Sequence, residues 1–179
     1  IRETHATGEL AITATLNDLA ASEPLSAVRY DGRWLDVSNL WDLLTVNAAL
    51  IGESAQTGAD GAALGDSVTV ADDAALAGNV RVGPNVTVGG STAIGSNATV
   101  EAGAVVENSV IFPDAVIGAG AVVRDAIVAG NARVGPNATV AGGPATVVVG
   151  DAVHRGVALG GVVGDDVTAD AGVVIAGLD

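Results

Sequence analysis

The sequence predicts a mainly β protein built as a parallel β-helix, and three observations carry that prediction. An aliphatic residue returns at every sixth position through Leu64, Val70, Leu76, Val82, Val88, Ile94, Val100 and Val106. Neither a helix nor a flat strand has that period. A six-residue unit made of one short strand and a corner does, and three such units close one triangular coil. Glycine is abundant at 25 residues, yet it recurs at fixed offsets, as a corner requires and a disordered linker does not. Aromatic residues make up only 2% of the chain, so the interior has to be filled by Val, Ile, Leu and Ala.

The first fifty residues follow different rules. Residues 10–21 have helical spacing, with Leu10, Leu16, Leu19 and Ala20 on one side. Val28-Arg29-Tyr30 and Arg33-Trp34-Leu35 flank Asp31-Gly32, and an Asp-Gly pair between β-prone runs predicts a two-residue hairpin. Asn39, with Asp42 three residues later, reads as the N-cap of a helix over 40–51, with Leu40, Leu43, Leu44 and Leu50 as its apolar stripe. A segment of this size cannot bury a full core. It belongs to a larger α/β domain or packs on the solenoid.

From residue 64 the units read LGDSVT, VADDAA, LAGNVR, VGPNVT, VGGSTA, IGSNAT, VEAGAV. The first residue of each points inward. The second is a small residue at a close approach. The third and fourth suit the corner, and the fifth packs just inside it. Each buried Val or Ile contributes about 1.5–3 kcal/mol, so the repeated column can support the fold. Two units, VENSV from Val106 and VRDAI from Val123, have five residues and begin 17 apart. They are expected to stack on one face, with Glu107 beneath Arg124. After Val140 the period loosens. VGDAVH (149–154) restores it, and 155–161 is predicted to be the loop that protrudes from the coil, a common place for function.

Charge and composition narrow the functional classes. Seven basic residues, all Arg, face 21 Asp and Glu, giving a net charge of −14. Such a surface repels nucleic acid and anionic membrane. The absence of lysine points to a salt-adapted cytoplasm, where molar salt shortens the screening length to roughly 3 Å. With no cysteine there are no disulfides and no thiolate sites. No signal peptide or membrane-spanning run is visible, so the expected location is cytoplasmic. Three Asn-x-Thr sequons, at Asn85, Asn97 and Asn137, share one offset within the repeat and are explained by corner chemistry. The chain opens with Ile1 in mid-motif and reads as part of a longer protein.

The N-terminal motifs carry a resemblance. Gly8-Glu9-Leu10-Ala11-Ile12-Thr13, then Gly32-Arg33-Trp34-Leu35-Asp36-Val37 and Trp41-Asp42-Leu43-Leu44, resemble the end of the catalytic domain of sugar-1-phosphate nucleotidyltransferases, the NDP-sugar pyrophosphorylases. Some members continue into a left-handed β-helix of hexapeptide repeats, the order found here. The resemblance implies that 1–53 is the C-terminal remnant of the α/β nucleotidyltransferase domain and 61–179 the left-handed β-helix. It also implies that Glu9 contacts the sugar and that Asp36 helps hold a catalytic Mg²⁺ for a sugar 1-phosphate and an NTP. Two polyanions meeting in one site need a hard cation held by carboxylates. This chain departs from the family pattern at Ala14, where Asp is usual, and at Ser38-Asn39-Leu40, where Gly-Thr-Pro is usual. The family's Gly-rich nucleotide loop, its basic residue and the second metal Asp belong to a part of the domain outside this sequence, so the chain alone is expected to be inactive.

Two alternatives stay open. The tail Leu159-Gly160-Gly161-Val162-Val163-Gly164-Asp165-Asp166-Val167 is similar to the final coils of bifunctional N-acetylglucosamine-1-phosphate uridylyltransferases, which also transfer an acetyl group from acetyl-CoA. That chemistry needs a general base, usually His. The chain has only His5 and His154, and His154 beside Arg155 is the candidate pair. The other alternative is a non-catalytic module that assembles as a homotrimer through the β-helix and regulates a partner domain.

Overall fold

A computed structural model describes residues 2–3, 10–53 and 61–177. The chain divides into two compact units, Ile1–Trp34 and Leu35–Asp179.

In the first unit Arg2–Glu3 pairs antiparallel with Leu10–Ala11, and helix α1 follows over Ile12–Ser22. The helix therefore starts later than its spacing predicts, because Leu10 and Ala11 are engaged as a strand. It buries none of its side chains. The expected hairpin about Asp31-Gly32 is absent: no strand occurs anywhere in 24–39. An isolated pair of strands is marginal without a sheet to cover it. Val28, Tyr30 and Trp34 are 90%, 70% and 83% exposed, so nothing covers this one. Asp31 instead accepts from Arg29 at 2.6 Å.

The second unit is a left-handed β-helix. Among the described residues its three walls are parallel sheets of six, five and six strands. Val82, Val88 and Ile94, consecutive in the hexad column, lie on three different walls and are 4%, 0% and 2% exposed. The register steps by one coil each time, as in Val82 beside Val100, Val88 beside Val106 and Ile94 beside Ile111. The interior is a continuous column of Val, Ile, Leu and Ala.

Each corner needs a left-handed backbone residue, and the sequence supplies Asn, Asp, Ser or Gly. Asn79, Asn97, Asp114 and Asn131 stack at one corner with φ of 62°, 61°, 61° and 55°. These short polar side chains tolerate that region and bond locally. Asn79 donates to Asn97 at 3.3 Å, and Asn97 to Asp114 at 3.2 Å. The sequon residues Asn85, Asn97 and Asn137 all have this conformation.

The five-residue units behave as their spacing predicts. Val105–Glu107 and Val122–Arg124 are neighbouring strands of one wall, with Glu107 opposite Arg124. At the corner that follows, a buried hydroxyl takes up a backbone N–H. Ser109, fully buried, accepts from Ala126 N at 3.1 Å and donates to Glu107 O at 2.7 Å. Thr92, equally buried one coil earlier, donates to Gly89 O.

The protruding element differs from the expected loop. An antiparallel hairpin, Pro144–Val149 with Ala152–Ala158, leaves the coil between wall strands Thr139–Ala141 and Gly161–Val163. The stretch 149–154, which reads as a restored hexad, is the hairpin tip and the start of its return strand. Most of 155–161 is paired strand rather than loop. The hairpin is inserted between Gly142 and Gly160, which pack together with Gly177. A Cβ on Gly142 would stand 2.7 Å from Gly177 Cα, and one on Gly160 would collide with Arg124 O.

Helix α2, Leu40–Glu53, packs within this second unit. The helix starts where the sequence predicts, but the cap runs the other way, with the Asp42 carboxylate and not the Asn39 side chain as the acceptor. Asp42 Oδ2 accepts from Asn39 N at 2.7 Å, Asn39 Nδ2 at 3.1 Å and Ser38 N at 3.1 Å. The buried face matches the predicted stripe at Leu43 and Leu44 only. Leu44 and Ile51 are 5% and 8% exposed, whereas Leu40 and Leu50 are exposed. Leu44 packs against Ile127, Val157 and Leu159, with Trp41 and Leu43 alongside. Asn47 Nδ2 ties the helix to a corner by donating to Ser91 O at 2.6 Å. This cover explains why Ile127, which points outward between inward Ala126 and Val128, is only 3% exposed.

Candidate functional site

The two segments of the second unit that break the repeat, α2 and the hairpin, enclose a groove of about 550 Å³. Its walls include Trp41, Thr45, Asn108, His154, Arg155 and Val157. The Trp41 and His154 rings stand 5.3 Å apart and are tilted by 55°. Such a tilted contact between rings is a favourable arrangement. Asn108 sits at the coil corner, where its amide donates to Asp125 Oδ1. Trp41 also borders a second, more apolar groove of about 710 Å³ with Leu43, Val149, Leu159, Val162 and Ile175.

Of the residues singled out in the sequence, His154 is thus brought against an aromatic ring, while Arg155 borders the same groove as an exposed residue paired with Thr146. Asp36 stands elsewhere in the same unit on exposed chain, and its carboxylate accepts from Ser38 Oγ at 2.8 Å. Glu9 and His5 lie outside the described residues. Among the described residues no three His, Cys, Asp or Glu side chains cluster as a metal site would require. Asp36 offers one carboxylate, and the described residues do not by themselves make a Mg²⁺ site. Sequence reasoning misses Trp41 as a groove residue because its spacing places it merely on an amphipathic helix. Its meeting with His154 depends on where the hairpin leaves the coil. No helix among the described residues is long and apolar enough to cross a membrane.

Known proteins share parts of this architecture. Residues 67–178, more than half of the chain, match the family model described as the GMPPB C-terminal domain. No curated protein matches the chain. Among solved structures, a single-residue mutant of perosamine N-acetyltransferase from Caulobacter crescentus, in complex with CoA and GDP-perosamine, is similar at 17% identity and TM-score 0.47. That match covers 62% of this chain and 48% of the other. UDP-N-acetylglucosamine acyltransferase from Campylobacter jejuni is similar at 17% identity and TM-score 0.28, covering 46% and 54%. The matched regions span about half the length of each of these two proteins. A putative acetyltransferase from Bacillus cereus is similar at 14% identity and TM-score 0.27, covering 66% and 80%. Scores of this size leave the family assignment to the matched domain and to the coil that carries it: the chain belongs to the GMPPB C-terminal domain family, a nucleotidyltransferase C-terminal region built on hexapeptide repeats.

Proposed function

We propose that this chain is the C-terminal portion of a sugar-1-phosphate nucleotidyltransferase, with its solenoid serving assembly into a homotrimer. The observation that carries the reading is the family match over 67–178. It is joined to the motifs ahead of it, Gly8-Glu9-Leu10 and Trp34-Leu35-Asp36, which resemble the end of the catalytic domain. In the reaction, a phosphate oxygen of the sugar 1-phosphate attacks the α-phosphorus of an NTP. The bond to the β-phosphate breaks and pyrophosphate leaves. Glu9 is assigned to the sugar and Asp36 to the metal side of that site. Neither completes it, because a nucleotide loop and a second metal carboxylate belong to the rest of the catalytic domain. The described chain contributes no step of its own through Mg²⁺. The acidic surface and the lack of lysine fit a salt-adapted cytoplasm.

The test is pyrophosphate release by the complete gene product supplied with Mg²⁺, a panel of sugar 1-phosphates and each NTP. The expected result is release that needs both substrates, with kcat/KM lowered at least about tenfold in Glu9→Gln and in Asp36→Asn, as loss of a group acting in the transition state requires. Free thiol released from acetyl-CoA, without pyrophosphate from any pair, would replace this reading with acyl transfer and place His154 as the base.

A further inference from the structure

The hairpin has two faces of opposite character. Successive cross-strand pairs alternate between them, as the pleat requires. Ala145 pairs with Val157 and Val147 with His154, and this inner row is half-buried or buried. Val147 and Val157 pack there with Leu44 of α2. The outer row is Thr146 with Arg155 and Val148 with Val153, and all four residues are exposed. Val148 and Val153, directly opposite each other, are 64% and 56% exposed. The insertion therefore presents paired valines and a guanidinium to solvent on an arm that leaves the coil.

Two strands on their own are marginal in water. Among the described residues these two form a sheet by themselves, with no third strand on either edge, and only the inner face is packed. The charge of the outer face says what covers it. Arg155 is its one charged residue and makes no ion pair or hydrogen bond among the described residues. Asp151 lies in the turn, beyond the paired rows. The rest of the chain is strongly acidic, with 21 Asp and Glu against seven Arg. Two copies therefore repel each other over most of their surface. A cationic arm meets the carboxylates of another copy with attraction instead. An anionic lipid surface would be repelled by the net charge of −14.

We propose that the outer face of the hairpin is a contact surface for a second copy of this chain, with Val148 and Val153 buried against the neighbour and Arg155 paired with one of its carboxylates. The inference rests on the proposed assembly of the solenoid and deepens it by naming the residues that make the contact. The inner row of the insertion then holds α2, and the outer row holds the neighbouring chain.

Sedimentation equilibrium of the 179-residue chain tests it, using wild type, Val148→Asp and Arg155→Glu, with far-UV circular dichroism recorded for each. The expected result is a self-associating wild type, with association weakened about tenfold or more by each substitution. Both side chains are exposed, so the dichroism should not change. A second measurement holds even where a variant misfolds. The chain has no cysteine, so Val153→Cys carrying a maleimide photo-crosslinker places one probe on the outer face, and illumination should join two chains. A wild type that stays monomeric at about 0.1 mM would overturn the assembly and this contact with it. A wild type that associates, with its affinity unchanged in both variants or with no link between chains from Val153→Cys, would overturn the hairpin contact and leave the assembly standing.

Discussion

Glu107 and Arg124 stand opposite each other on adjacent coils of one wall, and a 2.8 Å ion pair joins them. Both occupy five-residue units, so the coil between them is one residue short, yet the register carries straight through. Their side chains are 39% and 50% exposed, which limits the pair to about 0–1 kcal/mol. A double-mutant cycle of Glu107→Gln and Arg124→Gln, read by urea unfolding, should give a coupling in that range that shrinks at high KCl. A larger coupling would mean that the pair is shielded from solvent.

That pairing was legible because spacing alone determines it, and the same holds for the columns of Val82, Val88 and Ile94; the helix start at Asn39-Leu40 was legible too, though not which side chain caps it. Other features were hidden for specific reasons. The tip Val149-Gly150-Asp151 carries the same Gly-Asp corner signal as a coil, so a hairpin and a hexad look alike there. Gly150, at φ of 59°, turns the chain back instead of onward. The buried side of α2 shares only Leu43 and Leu44 with its predicted stripe, because periodicity marks an apolar side without saying which neighbour it meets. The position of Ile127 and Val157 selects Leu44 over Leu40. For the groove, His154 and Arg155 were visible as chemistry, but the meeting of His154 with Trp41 is a product of the insertion.

The core column predicts a graded mutational response. Ile117 is fully buried and Leu64 is 47% exposed. Ile117→Ala should cost about 2–5 kcal/mol through lost burial and a residual cavity. Leu64→Ala should cost much less. Equal costs in urea unfolding would contradict the half-exposed position of Leu64.

Gly160 closes the base of the hairpin where a Cβ would meet the Arg124 carbonyl. Gly160→Ala should therefore lower stability by about 1–3 kcal/mol or more, as overpacking does. Gly143 has open space around its Cβ position, so Gly143→Ala should be near neutral. The comparison of the two melting temperatures checks the joint directly.

The corner residue Asn85 holds φ at 57°. Asn85→Gly should be tolerated, while Asn85→Val should cost about 1–2 kcal/mol, because a branched side chain is strained in the left-handed region. Thermal unfolding of the pair gives the sign.

The net charge of −14 predicts that salt stabilises the chain by screening its self-repulsion. The melting temperature should rise as KCl is raised from about 0.1 M to about 1 M. A flat or falling profile would remove the support for a salt-adapted origin.

The coding frame upstream of Ile1 tests the central functional claim most directly, and sequencing it is the decisive measurement. A nucleotidyltransferase parent predicts a Gly-rich loop followed by a basic residue and, further on, an Asp able to share a metal with Asp36. An unrelated upstream domain, or a frame that starts at this segment, would contradict it.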